Sequence, residues 1–309
     1  MSRIALVFAR FTGMLLPERM IGRRTLLAGA ALAATPALAQ NTEARFAAFL
    51  QGVRQEAARS GVDAGTLDAA LGGTQEIPRV MELARNQPEF KMTWARYQEL
   101  VVSSERVTRG RALLTENRAA IDRFAAPVGL PTSVVVALWG IESNYGTRLG
   151  DFEVVPALAT LVFNNFRAQF FRGQLIAALK ILSQGHVGLH DMKGSWAGAM
   201  GQCQFIPTSF LAYAVDGDGD GRKDIWRSRP DVFASIANYL HKVGWRPGLR
   251  WGEEVPAGTQ AGQGGRIVTP AGAGGPAYRV TENFRVIHRW NQSDFFCLAV
   301  GLLSDKIAA

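Results

Sequence analysis

Cysteine is scarce in this 309-residue chain, which has two, Cys203 and Cys297. So small a number builds no disulfide framework, and no Cys/His spacing suits a structural metal. An oxidising compartment permits one bridge between them; two buried thiols are the alternative, since each stands in an apolar, helical context. The four histidines, His186, His190, His241 and His288, form no ligand pattern. Neither a G-x-S-x-G elbow nor a phosphate-cradling glycine loop is present, which argues against a nucleophilic hydrolase and against nucleotide chemistry. No basic run is dense enough for nucleic acid. No internal repeat occurs, so a solenoid is excluded.

What is present begins with a targeting segment. Arg23-Arg24 precedes the apolar small-residue run Thr25 to Ala34, and Ala37-Leu38-Ala39 offers an A-x-A cleavage site before Gln40. The run is too short for a permanent bilayer-spanning helix. Gly22 to Leu27 resembles a twin-arginine export signal, and an ordinary Sec signal is the alternative. Met20 is an alternative start, because MIGRRTLLAGAALAA is a complete signal by itself. No cysteine follows for lipid attachment, so residues 40–309 are expected as a soluble periplasmic monomer without a permanent membrane anchor. The net charge is +8; residues 1–39 hold five arginines and one glutamate, which leaves +4 for the remainder. That mild excess suits an anionic polymer such as a cell wall.

The pattern along residues 40–309 is mainly helical. Helical spacing covers Thr42 to Leu71, Trp94 to Arg123, Phe152 to Phe171, Gly173 to Leu182, the stretch around Gln204 to Val215, Asp231 to Val243 and Ser293 to Leu303. Pro78 to Leu83 reads as a short extended crossing. Residues 247–286 are rich in Gly, Pro and Thr, with β-type runs at Arg266 to Val268 and Tyr278 to Val280. They are expected as a small β-hairpin insertion, a loop being the alternative.

Four segments stand out; in one, Arg289-Trp290-Asn291-Gln292-Ser293 opening the last helix, Asn291 or Ser293 is a candidate N-cap. In Trp139-Gly140-Ile141-Glu142-Ser143-Asn144-Tyr145-Gly146 a carboxylate ends the apolar run Pro131 to Leu138, with Thr132 or Ser133 as candidate cap. Glu142 shares a helix face with Leu138, Val135 and Val134. Poor solvation there disfavours the ionised form, as a glycosidase requires of its general acid. A solvated or ion-paired glutamate is the alternative. Residues 194–210, GSWAGAMGQCQFIPTSF, alternate small and large side chains, with Ser195 and Gln204 the polar groups able to face a cleft; tight packing is the alternative. In Asp216-Gly217-Asp218-Gly219-Asp220-Gly221-Arg222-Lys223-Asp224, the acids Asp216, Asp218 and Asp220 match positions 1, 3 and 5 of an EF-hand loop. Arg222 would give a backbone carbonyl and Asp224 stands at position 9, but position 12 is Arg227, so the bidentate acid is missing. A Ca²⁺ site is expected, with a solvated acidic turn as the alternative.

Taken together, WGIESNYG, ALATLVF at Ala157 to Phe163, GSWAGAMGQCQFIPTSF, the acidic loop ending in Asp224-Ile225-Trp226, Ile236-Ala237-Asn238-Tyr239 and HRWNQSDFFCLAVGLL resemble the lytic murein transglycosylases of the B type. The resemblance runs from about Phe46 to Leu303. It implies a mainly α (α+β) fold: a lysozyme-like helical core with additional N-terminal helices and the small β-lobe of 247–286. It further implies Glu142 as sole catalytic acid and base, with Ser195, Gln204, Tyr239, Asn291 and, less directly, Tyr97 lining a cleft for peptidoglycan glycan strands. The acidic loop would be the family's metal site, structural rather than needed for chemistry. Cys203 departs from the family's usual non-thiol residue, and the extra peptidoglycan-binding domain of some relatives is expected to be absent. The implied reaction cleaves the MurNAc–GlcNAc bond and leaves 1,6-anhydro-MurNAc. A hydrolytic muramidase, which would need an acid such as Asp151 to position water, and a silent wall-binding scaffold remain alternatives.

Overall fold

The computed structural model describes residues 36–86, 92–262 and 265–309, with the backbone alone for 36–40. Most of the expected export signal lies outside the described residues; positions 36–39 fall in the first turn of α1 (Pro36–Arg59). Eleven more α-helices follow within the described residues. They are α2 (Ala64–Leu71), α3 (Pro78–Arg85), α4 (Trp94–Val101), α5 (Ser104–Ala125), α6 (Thr132–Ser143), α7 (Val154–Phe163), α8 (Ala168–Ser183), α9 (Pro207–Tyr213), α10 (Arg229–Lys242), α11 (Glu282–Trp290) and α12 (Asp294–Ala308). Two small antiparallel sheets complete the fold. One pairs β1 (Phe152–Glu153) with β2 (Lys193–Gly194); the other has β3 (Gly252–Val255), β4 (Arg266–Val268) and β5 (Ala277–Val280) in the order β3-β5-β4. The mainly α reading and a small β-lobe are therefore both present, but the lobe is a three-stranded sheet rather than a hairpin, and Glu282 to Val286 of the expected 247–286 insertion already belong to α11.

Several expected elements differ in their bounds. Pro78 to Leu83 is helical, not extended: Pro78 sits in the first turn of α3, where its missing N–H costs nothing, and Val80, Met81 and Ala84 are buried at helical spacing. The stretch Thr42 to Leu71 breaks at Gly61, with φ +88°, before Asp63 caps α2. Trp94 to Arg123 breaks at Val102, after which the Ser103 hydroxyl accepts the Arg106 N–H and starts α5. Phe152 to Phe171 opens as strand and is interrupted by Asn165 and Arg167 in the left-handed region. Gln204 is not helical; its φ is +48°, and α9 starts at Pro207. Neither Thr132 nor Ser133 caps α6, which starts after Pro131, and the Ser133 hydroxyl instead meets that of Ser304 at 2.8 Å.

At the centre stands α6, packed against α5, α10 and α12. Every residue from Ser133 to Ser143 is buried, as befits a helix apolar all round. Complete burial of a Val, Leu or Ile side chain is worth about 1.5–3 kcal/mol, so the run Val134 to Leu138 fixes α6 firmly. Cys203 and Cys297 are both buried thiols rather than a disulfide, and Cys203 lies in a turn-rich loop, not a helix. No single helix among the described residues is long and apolar enough to cross a membrane.

Gly140 is the tightest point on α6: a Cβ there would stand 2.6 Å from the Tyr145 ring. Gly140→Ala should therefore destabilise the protein by about 1–3 kcal/mol, the usual cost of overpacking. The expected readout is a lower urea midpoint at unchanged slope; an unchanged midpoint would contradict the seating of Tyr145 on α6.

Candidate active site

The chain leaves α6 through three consecutive left-handed residues, Asn144, Tyr145 and Gly146, with φ of 50°, 59° and 79°. Two of them carry side chains, a conformation that costs free energy unless its surroundings impose it. Here they do. The Ser143 hydroxyl donates to the Trp139 carbonyl at 3.1 Å and accepts the Gly146 N–H at 3.0 Å. Tyr145 donates its hydroxyl to the Arg106 carbonyl at 2.7 Å and sets its ring edge-on to Trp139. Burial pushes the Tyr145 phenol well above its ordinary value, so it remains a donor.

Glu142 is the one ionisable side chain of α6 and is 4 % exposed. The indole Nε1 of Trp290, the last residue of α11, donates to its Oε1 at 2.5 Å. Trp290 also packs on Tyr239, with ring centroids 4.6 Å apart, and on Phe205 at 5.1 Å. Phe205 follows Gln204 and Asn291 follows Trp290, so one aromatic cluster gathers the segments carrying Glu142, Gln204, Tyr239 and Asn291.

Several polar atoms in and around this cluster have defined partners. Tyr239 donates its hydroxyl to the Arg289 carbonyl at 2.8 Å. Gln204 Nε2 donates to the carbonyls of Leu149 and Gly201. The Ser195 hydroxyl accepts the Ala199 N–H at 3.0 Å, which tightens its own loop. Gly150 lets β1 approach that loop, because a Cβ there would collide with the Gly194 carbonyl oxygen and lie 2.7 Å from Ser195 N. The Asn291 carbonyl accepts from the Cys297 thiol at 3.6 Å, and burial pushes that thiol up, so it stays protonated and unreactive. The Asn291 Oδ1 is buried with no hydrogen-bond partner among the described residues. Tyr97 stands apart: it is half-buried on α4 in a second aromatic group with Trp94 and Phe295.

Neither neighbouring acid resembles Glu142. Asp151 is exposed, and Glu153 meets His190 at the surface at 3.3 Å. Among the described residues, Glu142 and Asp231 are the two buried carboxyl groups.

Asp231 belongs to the acidic loop. Its carboxylate and those of Asp216 and Asp218 bring oxygens within 4.8 Å of one another, whereas Asp220 and Asp224 lie outside this group. Asp231 stands in the first turn of α10 and accepts backbone N–H bonds from Gly217, Asp218 and Asp224. Burial pushes its pKa above the ordinary carboxyl value. Arg227, at the expected twelfth position, turns away to pair with Asp191 at 2.6 Å. Three converging carboxylates, one of them buried, make a donor set for a hard cation. Sequence reading missed Asp231 and Trp290; the first lies beyond the EF-hand spacing, and the second was part of the HRWNQS run without a role.

The sequence matches the Transglycosylase SLT domain family over residues 45–266 and 256–305. It is 28 % identical over 289 residues to the membrane-bound lytic murein transglycosylase B of Escherichia coli K12, covering 81 % of this chain and 80 % of that protein. The fold is similar to that of SltB3 from Pseudomonas aeruginosa in complex with NAG-anhNAM-pentapeptide, at 40 % identity and a TM-score of 0.80, over 85 % of this chain and 80 % of that one. It is also similar to the E. coli lytic transglycosylase SLT35 in complex with calcium, at 26 % identity and a TM-score of 0.73, over 91 % and 95 % of the two chains. The helical core is thus the lysozyme-like one expected, and the chain belongs to the SLT-domain transglycosylase family.

Proposed function

We propose that this protein is a lytic transglycosylase that cleaves the MurNAc–GlcNAc β-1,4 bond of peptidoglycan without water. The observation that carries the reading is Glu142: a single carboxyl shielded at the end of an apolar helix, with an indole N–H on one oxygen and, among the described residues, no second buried carboxyl beside it. A two-carboxylate glycosidase needs its second acid to activate water or to attack the sugar. Exposed Asp151 is a poor candidate for that task.

Neutral Glu142 gives its proton to the glycosidic oxygen as the C1–O bond breaks, releasing the GlcNAc 4-hydroxyl. The acetamido oxygen of the same MurNAc covers the positive charge growing at C1. Glu142, now a carboxylate held by the Trp290 indole, takes the proton of the C6 hydroxyl as that oxygen closes on C1. The acid is regenerated and no water is consumed, so one residue serves both steps. Asn291, with its buried Oδ1, suits the N–H of an acetamido group. Ser195, Gln204, Tyr239 and, farther out, Tyr97 line the glycan path.

Asp216, Asp218 and Asp231 are the residues that would hold a structural Ca²⁺. Bound there, it would offset repulsion among these carboxylates and join the loop to α10, with no part in the chemistry. The protein acts as a monomer in the periplasm, exported by residues 1–39.

Three outcomes test this reading. Glu142→Gln should keep the fold, checked by circular dichroism, while release of soluble fragments from sacculi falls at least about 100-fold; substantial turnover would sink the assignment. Trp290→Phe removes a hydrogen bond to a charged group, worth about 1.5–3 kcal/mol, so kcat should fall about tenfold to a hundredfold with KM nearly unchanged. Calcium at about 100 times Kd should stabilise the protein by about 2.7 kcal/mol, seen as a rise in Tm that Asp231→Asn abolishes. Equal Tm values in calcium and in EGTA would remove the metal site.

A further inference from the structure

Gln202 lies between the segments that carry Glu142 and the end of the acidic loop, and it is 7 % exposed. Both ends of its amide are engaged. Oε1 accepts the indole N–H of Trp139 at 2.8 Å, and Nε2 donates to the Trp226 carbonyl at 3.0 Å. Its backbone N–H donates to the Ile225 carbonyl at 2.8 Å. Trp139 precedes Glu142 by three residues on α6, so the two side chains share one side of the helix end. The same amide also fills the space beside Gly146, on the far side of Glu142 in the chain: a Cβ at Gly146 would stand 2.8 Å from Gln202 Cδ. On its other flank, Gly201 has φ +64° and lets the backbone press against Ile225, where a Cβ would lie 2.7 Å from the Ile225 oxygen.

We propose that Gln202 is a positioning residue for Glu142: one buried amide references both the last turn of α6 and the left-handed turn after it to the carbonyls of Ile225 and Trp226. The inference rests on Glu142 being the acid. Without the amide, the Trp139 indole N–H and the Trp226 carbonyl would each be left without this partner in a dry setting, which costs about 1–3 kcal/mol per group. The cheapest relief is a shift of the helix end. Proton transfer depends on hydrogen-bond reach, and a misplacement of about 1 Å can cost about 100-fold in rate. The side-chain hydrogen bonds of Gln202 go to Trp139 and Trp226, neither of them among the residues proposed to line the glycan path, so glycan binding should be spared.

A second property makes the proposal testable against plain packing. A neutral glutamic acid presents one acceptor and one O–H donor, the pattern of the amide; its carboxylate would set an oxygen against the Trp226 carbonyl. The charged groups touching the residues that Gln202 joins are Asp224, which accepts the Trp226 N–H, and Arg229, whose guanidinium lies 5.5 Å from the Trp139 ring centroid. Both stay constant across the variants and cancel in a ratio to wild type.

The experiment compares Gln202→Met and Gln202→Glu with wild type on sacculi, from about pH 7.5 to about pH 4.5, spanning much of the carboxyl range. Glycan-binding stoichiometry, measured for each substitution in the Glu142→Gln background, gives the fraction of folded, binding-competent chains, so kcat is expressed per competent chain. Gln202→Met should lose about tenfold or more in kcat with KM within about twofold, and its ratio to wild type should stay flat with pH. The Gln202→Glu ratio should rise as pH falls and the side chain becomes neutral. A Gln202→Met kcat within about twofold of wild type, or a Gln202→Glu ratio that is as flat as that of Gln202→Met, would overturn the proposal. Failure of the Glu142 reading would show separately, as activity retained by Glu142→Gln alone.

Discussion

The structure turns on keeping one carboxyl out of water. Glu142 ends a helix whose other side chains from Ser133 onward are also buried, and it is 4 % exposed itself. Placing an acid there carries a desolvation cost, which the helix can bear because Val134 to Leu138 anchor it in the core. The chain then leaves α6 abruptly, through the left-handed run Asn144 to Gly146. The hydroxyls of Ser143 and Tyr145 hold the exit in place.

Everything else near Glu142 follows from that constraint. The loop after β2 folds back through the pairs Gly194–Met200 and Met200–Phe205, which bring Phe205 to Trp290 and Trp290 to the acid. The acidic loop continues the same arrangement outward. Asp231 knots it to α10 by three backbone hydrogen bonds, and Gln202 connects its end to α6. A chain built this way needs one reactive residue and many residues that keep it placed.

Much of this was legible in the sequence, because its signals are local. An apolar run ending in Glu142 announced both a buried helix and its acid. Alternating aspartates and glycines announced a loop in which Asp216 and Asp218 converge, though not Asp220 and Asp224, and the Gly/Pro/Thr-rich stretch announced a β-lobe. The unreadable parts are long-range. Trp290 reaches Glu142 across 148 residues, and no periodicity in a single sequence encodes that meeting. Asp231 joins the carboxylates of Asp216 and Asp218 from the next helix, beyond the reach of loop spacing. The errors in element bounds are different in kind. Pro78 to Leu83 reads as extended where Pro78 opens a helix, and apolar periodicity runs on through the breaks capped by Asp63 and Ser103.

The central claim is that Glu142 works alone and that no water enters the product. Digesting purified sacculi in ¹⁸O-labelled water and reading the muropeptides by mass spectrometry, before and after borohydride reduction, tests it directly. The account predicts MurNAc ends that carry no ¹⁸O and resist borohydride, as 1,6-anhydro sugars do. Ends that carry one ¹⁸O and are reduced by borohydride would mean that water attacks C1, and would contradict it.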